Sequence, residues 1–137
     1  MLTVENSLYR IIDANFNRAK EGLRVCEDIC RFKLDHKILT NKIKRLRHSL
    51  TDCILRFSIK RIISARAIEE DVGKSSIPLE LKRRNLEEIF YANTQRVKEA
   101  IRVLEECGKL INGDLARQLK RLRYQMYALE KRIVEKF

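Results

Sequence analysis

A polar motif occurs twice in this chain, within residues 14–27 and, at an offset of 78, within residues 92–105. The copies carry, at intervals of three, an Asn, an Arg and a Glu: Asn15, Arg18 and Glu21 in the first, and Asn93, Arg96 and Glu99 in the second. Amide and guanidinium groups hydrogen-bond phosphates and heterocycles, and carboxylates bind Mg²⁺. The motif therefore has the groups of a phosphate site, supplied twice.

Two interpretations of the repeated Asn remain open from the sequence. At 100° per residue, Asn15 and Asn93 fall inside the apolar stripes of two helices, and Arg18 and Arg96 lie at the stripe edges. A buried amide costs free energy unless it is hydrogen-bonded, so each Asn either fixes helix register or faces a ligand. The accompanying Arg favours a ligand site.

The segment 69–78 is the one clear loop, because it holds the only Pro and one of four Gly. Its GKSS sequence is not a P-loop, since Ile68 stands where the earlier Gly is needed and a helix precedes it. Asp71 and Gly73 remain candidates for closing over an anion or metal, with a plain connector as the alternative. Arg47, at the edge of its helix stripe, is a further phosphate candidate.

Four helices are predicted to position these groups. Helix A covers 6–33; a long helix B, capped by Asp35, continues to Ile62 and Ile63; helix C starts near Asn85; and helix D is capped by Asp114. KIKRLRHSL in B corresponds to QLKRLRYQM in D, so two helical hairpins, 6–67 and 85–136, repeat. We expect one all-α domain, 1–137, forming a four-helix bundle with approximate two-fold symmetry. Leu8, Ile11, Ala19, Cys26 and Ile29 would make the buried stripe of helix A, and Glu27 would join a solvated ladder of ion pairs.

Composition limits the partners. The formal net charge is +11, which favours polyanions, either nucleic acid or phosphorylated small molecules. Basic residues spread over every helix, without a Cys/His finger or a stacking platform, argue against nucleic acid. No apolar run is long enough to span a membrane, and the first residues lack a signal segment, so a cytoplasmic protein with four reduced, buried cysteines is expected. The oligomeric state stays open, and a homodimer is compatible with the sequence.

Five stretches resemble a known family, the thiamine-related domain often fused ahead of thiamine-phosphate synthase. They are RIIDANFNRAKEGLRVCEDICRF (10–32), LRH (46–48), DVG (71–73), ANTQRVKEAIRVLEE (92–106) and LRYQMYALEK (122–131). Members of that family are regarded as alternative hydroxymethylpyrimidine-phosphate kinases. The resemblance spans nearly the whole chain, so only that domain, without the synthase barrel, is expected in these 137 residues.

The resemblance implies phosphoryl transfer from ATP to 4-amino-5-hydroxymethyl-2-methylpyrimidine phosphate, giving the diphosphate used in thiamine synthesis. Mg²⁺ would accompany ATP, held by Asp71 with Glu21 or Glu99, while Arg18, Arg96 and Arg47 would clamp phosphates. Catalytic roles are not assigned to individual residues. Thiamine-phosphate synthase is the implied protein partner. A non-catalytic pyrimidine-phosphate-binding or accessory domain is the first alternative, and a nucleic-acid-binding helical protein is the second.

Overall fold

The computed structural model describes residues 4–137, and all regular structure in this range is helical. The prediction of an all-α protein is confirmed for this part of the chain. Residues 1–3, which begin the segment expected to lack a targeting signal, lie outside it. The helices are α1 (Val4–Asp28), α2 (Lys37–Ile54), α3 (Ile59–Ser64), α4 (Leu86–Gly108) and α5 (Gly113–Val134).

The long helices pack so that each contacts two others. α1 packs on α4 and α2, and α5 packs on α4 and α2, with the largest contact between α1 and α4. The core between them contains Ile12, Leu23, Phe90, Ile101, Leu119 and Met126, each at most 2% exposed. Burying one such side chain stabilises the fold by about 1.5–3 kcal/mol. This packing fixes α1 against α4, the pair that carries the repeated motif.

Helix ends differ in detail from the sequence predictions. α2 is capped by His36, whose Nδ1 accepts from the Leu39 N–H at 3.1 Å, whereas Asp35 has a positive φ of 49°. α5 is capped by Asn112 rather than Asp114, because the Asn112 Oδ1 accepts from the Asp114 N–H at 2.8 Å. Side-chain acceptors satisfy otherwise unpaired N–H groups at helix starts.

α4 begins beside Asn85, as predicted, and Asn85 caps it. The Asn85 Oδ1 accepts from the Glu88 N–H at 2.8 Å. The Glu88 carboxylate reaches back and accepts from the backbone N–H of Arg84, also at 2.8 Å. The latter contact is one residue earlier than an ideal capping box.

The prediction of one long helix B is wrong. α2 ends at Ile54, and the Ser58 Oγ accepts from the Arg61 N–H at 3.3 Å to start the separate α3. α3 packs on α1, which buries Ile62 to 1% exposure and leaves Ile63 48% exposed. The apolar spacing continues across the break because both helices contribute to the same core.

Two further features concern the core and the surface. The Ile11 side chain, predicted to be in the core, is 44% exposed. The four cysteines are free, and three of them are buried.

Within residues 4–137, no helix is both long and apolar enough to cross a membrane.

Candidate functional site

The repeated polar residues line one open pocket between α1 and α4, which we call the α1–α4 pocket. Its volume is about 510 Å³. Its lining consists of Asn15, Arg18, Glu21 and Gly22 of α1 and Asn93, Arg96, Glu99, Ala100 and Val103 of α4. The structure therefore brings together all six members of the two motif copies.

Close approach of the two helices allows both copies to share one pocket. A Cβ on Gly22 would lie 2.7 Å from Val97 Cγ2 and 3.1 Å from the backbone oxygen of Asn93. Both distances are shorter than an ordinary van der Waals contact. α1 thus reaches α4 at a position where only a hydrogen fits, one turn from the pocket's arginines.

The two asparagines have the same hydrogen-bond geometry. The Asn15 Nδ2 donates to the Ile11 carbonyl at 2.9 Å, and the Asn93 Nδ2 donates to the Ile89 carbonyl at 2.8 Å. Each amide nitrogen is bonded within its own helix, and a register-fixing amide would bond the partner helix instead. The geometry leaves the amide oxygens as acceptors, and the Asn15 Oδ1 accepts from Arg18 Nη1 at 3.4 Å.

Three of the four charged groups of the α1–α4 pocket are not used by the fold. Glu21, Arg96 and Glu99 are exposed, and none of them makes an ion pair or hydrogen bond with another residue of the described range. The fourth, Arg18, makes only the 3.4 Å bond to Asn15, whereas the neighbouring Lys98 binds Glu130 at 2.9 Å. Glu21, Arg96 and Glu99 can therefore bind ligand without breaking internal contacts.

A second pocket, the flank pocket, lies between α1 and residues 66–71. Its volume is about 440 Å³. It is lined by Ser7, Arg10, Ile11, Asp13, Ala14, Asn15 and Arg18 of α1 and by Arg66, Ala67, Ile68 and Asp71. Asn15 and Arg18 belong to both pockets, so the two cavities adjoin.

The wall of the flank pocket is held to α1 by residues that sequence analysis missed. The Arg66 guanidinium donates two hydrogen bonds to the carboxylate of Asp13, both at 2.7 Å, and this contact raises the pKa of Arg66. Arg10 Nη2 donates to the Ala67 carbonyl at 3.3 Å. Asp13, 6% exposed, was recognisable as an acid beside the apolar Ile12. Its partner Arg66 lies 53 residues away in the sequence, and no local pattern indicates the pairing.

The remaining predicted residues are placed apart. Asp71 lines the flank pocket, and its Oδ1 accepts from the Gly73 N–H at 2.9 Å. Gly73 itself is exposed and lines neither pocket. Arg47 also lies outside both pockets: its Nη2 and Nε donate to the Glu27 Oε1 at 3.2 and 3.3 Å.

This Glu27–Arg47 contact corrects the interpretation of Glu27. Glu27 also pairs with Arg24 at 3.7 Å, but it is 3% exposed, so it is not solvated as the predicted ladder requires. Arg47 as a phosphate ligand stays a prediction. α4 and α5 carry a second Glu–Arg pair, in which Arg123 Nε donates to the Glu105 Oε2 at 3.0 Å. The two pairs join α1 to α2 and α4 to α5.

A known protein family matches this chain. A model of the ThiD2 family matches residues 10–132, almost the whole described chain. The chain belongs to the ThiD2 family. The match includes both motif copies, the segment that forms the flank pocket wall and both buried ion pairs.

Several curated relatives of this ThiD2-family chain carry the name thiamine-phosphate synthase. The one from Nostoc punctiforme is 39% identical over 132 residues, covering 96% of this chain and 36% of that protein. Those from Thermosynechococcus vestitus and Rhodopirellula baltica are 43% and 38% identical, covering 90% and 89% of this chain and 34% and 33% of theirs. The chain thus spans about a third of the length of these relatives. No solved structure matches it significantly.

The acids of the site fit Mg²⁺ in one mode only. Within residues 4–137, no three acidic, His or Cys side chains are gathered to hold a metal by themselves. Asp71 lies at the flank pocket, while Glu21 and Glu99 face the α1–α4 pocket. Mg²⁺ is commonly held by one or two carboxylates together with substrate phosphates. Glu21 and Glu99 line one pocket and can supply two such carboxylates, whereas Asp71 lines the adjoining pocket, and Mg²⁺ binding by these residues stays a prediction.

The cysteines offer no activated nucleophile. Burial raises the pKa of the Cys30 thiol to about 11 and also raises the pKa of Cys26. Desolvation disfavours the thiolate, which is the nucleophilic form. The chemistry of the site therefore rests on its amides, arginines and carboxylates.

Proposed function

We propose that this chain works in thiamine biosynthesis and transfers a phosphoryl group from ATP to the phosphate of 4-amino-5-hydroxymethyl-2-methylpyrimidine phosphate. The observation that carries the proposal is the meeting of two Asn–Arg–Glu sets at one pocket, in which Glu21, Arg96 and Glu99 make no ion pair within the described residues. ThiD2 family membership and relatives named thiamine-phosphate synthase support the pathway.

Phosphoryl transfer needs positioning and charge neutralisation more than covalent help. An oxygen of the acceptor phosphate attacks the γ-phosphorus of ATP. A new O–P bond forms as the bond from the γ-phosphorus to the β–γ bridging oxygen breaks, and ADP leaves with that electron pair. The attacking oxygen is already an anion, so the site requires no strong general base.

The pocket residues suit these needs. Arg18 of α1 and Arg96 of α4 line the same pocket and can each donate paired hydrogen bonds to phosphate oxygens. Mg²⁺ bound with the nucleotide would neutralise phosphate charge, with Glu21 and Glu99 as its protein ligands. The free oxygen of Asn93 can accept from an amine or hydroxyl donor on a ligand.

Incubation of the pure protein with ATP, Mg²⁺ and the pyrimidine monophosphate tests the proposal, with diphosphate formation followed by ³¹P NMR. Arg96→Lys should lower kcat/KM by roughly ten- to a hundredfold, because Lys cannot reproduce a two-pronged phosphate contact. Arg102→Lys is the matched control: this repeated arginine of α4 is exposed and bound to Glu106 at 3.3 Å, and its activity should equal that of the wild type. Binding without any diphosphate would refute the kinase.

That result would favour the second candidate, a non-catalytic domain that binds pyrimidine phosphate or docks on thiamine-phosphate synthase. The observation in its favour is that the chain matches only about a third of relatives bearing the synthase name. Nucleic-acid binding, the remaining alternative, requires duplex or single-strand binding that persists at about 200 mM salt with a steep salt dependence.

We also infer that the chain is a duplicated hairpin with approximate two-fold symmetry. Support comes from the matching Asn15 and Asn93 bonds and from the matching Glu27–Arg47 and Glu105–Arg123 pairs. Superposition of α1 and α2 on α4 and α5 tests this inference. It is refuted if the two Glu–Arg pairs do not align. The cytoplasmic location, a homodimer and docking on the synthase stay predictions.

A further inference from the structure

We propose that the flank pocket is the acceptor site and that the α1–α4 pocket is the nucleotide site, with Asn15 and Arg18 as their common wall. This assignment rests on the proposed function. A transfer between two ligands needs two adjoining binding positions, so that the reacting phosphates lie side by side. These pockets share only those two residues among their linings, so the junction is where the two phosphates would meet.

The flank pocket has walls suited to a flat ring. Ile11 and Ile68 line it, and they are 44% and 64% exposed, although large aliphatic side chains are normally buried in a core. The fold gains little from either at its present position. An aromatic ring between them would cover apolar surface that now faces water.

The polar groups of the flank pocket suit an aminopyrimidine monophosphate. One Asp71 oxygen is bonded to the Gly73 N–H, which leaves the other oxygen to accept from the exocyclic amine of the ring. Arg66 is held by Asp13, and Arg10 is bonded to the Ala67 carbonyl. Arg18 is therefore the arginine of this pocket with the weakest internal contact, a 3.4 Å bond to Asn15, and it stands at the junction.

The charge balance separates the two pockets. Three arginines face two aspartates in the flank pocket, a net positive environment that suits a phosphate without its own metal. Two arginines face two glutamates in the α1–α4 pocket, and the carboxylates suit a polyphosphate that carries Mg²⁺. The opposite assignment would put the metal-bearing ligand away from Glu21 and Glu99.

The test is titration calorimetry with each ligand alone: the pyrimidine monophosphate without metal, and a non-hydrolysable ATP analogue with Mg²⁺. Ile68→Glu removes an apolar wall and adds a negative charge beside the phosphate. We expect Ile68→Glu to lower the affinity for the pyrimidine monophosphate by about tenfold or more and the affinity for the nucleotide by less than about threefold. Ile63→Glu, on the exposed face of α3 and outside both pockets, should change neither affinity.

A reciprocal variant completes the test. Arg96→Ala should lower the affinity for the nucleotide by about tenfold or more and change the affinity for the pyrimidine monophosphate by less than about threefold. Arg18→Lys should weaken both ligands, because Arg18 lines both pockets. Thermal melts check folding, which Ile68→Glu and Arg96→Ala should preserve since both side chains are exposed.

The outcomes separate this assignment from the proposed function. It is overturned if Ile68→Glu weakens only the nucleotide, if both variants weaken the same ligand equally, or if the wild type binds neither ligand. The reciprocal pattern without diphosphate formation would uphold the assignment and refute the kinase. Diphosphate formation with an unchanged pyrimidine KM in Ile68→Glu would uphold the kinase and refute the assignment.

Discussion

Replacing Gly22 by Ala should separate α1 from α4 at the site. The added Cβ would lie 2.7 Å from Val97 Cγ2 and 3.1 Å from the Asn93 carbonyl oxygen, against a preferred carbon–carbon separation of about 3.5–4.0 Å. The Val97 side chain is fully buried and, being β-branched, has essentially one χ1 rotamer in a helix. The helices must therefore move.

The magnitude follows from two opposing effects. Overpacking of a well-packed contact costs about 1–3 kcal/mol. Ala in place of Gly inside a helix regains roughly 0.5–1 kcal/mol of conformational entropy. We therefore expect Gly22→Ala to lower the free energy of unfolding by up to about 2.5 kcal/mol. Ligand affinity should also fall, because Asn93 lies at the same contact.

A double-mutant cycle with Val97→Ala identifies the cause. Val97→Ala alone removes two buried methyl groups and should cost about 2 kcal/mol. In Gly22→Ala/Val97→Ala the new methyl occupies part of the space vacated, so the double variant should cost at least about 1 kcal/mol less than the sum of the single costs. Urea unfolding followed by circular dichroism at 222 nm measures each value.

Gly113→Ala is the control, since the nearest atom to its added Cβ is Arg117 Nη2 at 4.0 Å. It should be neutral or stabilise the protein by up to about 1 kcal/mol. The reasoning is refuted if Gly22→Ala is as stable as Gly113→Ala and shows no coupling to Val97→Ala. A large loss of stability that Val97→Ala does not relieve would also contradict it, because the clash would then lie elsewhere.

Three further predictions concern the polar and titratable groups. Glu105→Gln should cost about 1–3 kcal/mol in urea unfolding, because the buried Arg123 guanidinium loses its anionic partner, and Glu106→Gln on the exposed face should cost less than about 0.5 kcal/mol. Asn15→Leu and Asn93→Leu should retain the thermal transition and each weaken ligand binding by roughly ten- to a hundredfold in titration calorimetry; loss of stability with unchanged affinity would make the amides purely structural. Cys30 has a folded pKa of about 11 against an ordinary value of 9.0, so its burial contributes stability that is complete below pH 9 and is lost as pH rises through 11; an unfolding free energy that rises over that window would contradict this.

Local sequence predicted the helices because their apolar residues recur at helical spacing, which needs no knowledge of distant contacts. It failed at residues 55–58, where the spacing continues but Ser58 caps a new helix. Apolar spacing predicts which residues face the core. It cannot tell whether one helix or two consecutive helices supply them, since both satisfy the same burial.

The repeat predicted which residues would share a pocket, but it gave no sign of contacts made with another helix. Glu27 seemed solvent-exposed by helical angle, yet it is buried and binds Arg47 across α1 and α2. A helical wheel gives the direction of a side chain from its own axis only. Whether that side chain is buried depends on which other helix packs against it, and only the tertiary structure shows this.

The sequence by itself determined the all-helical character of the described chain and the equivalence of Asn15 with Asn93 and of Arg18 with Arg96, because periodicity and internal repetition are properties of residue order. Only the tertiary structure decided that Arg66 brings residues 66–71 onto Asp13, that the two motif copies line one pocket, and that two pockets meet at one wall. Those contacts join residues far apart in the chain, so their existence depends on how the helices pack.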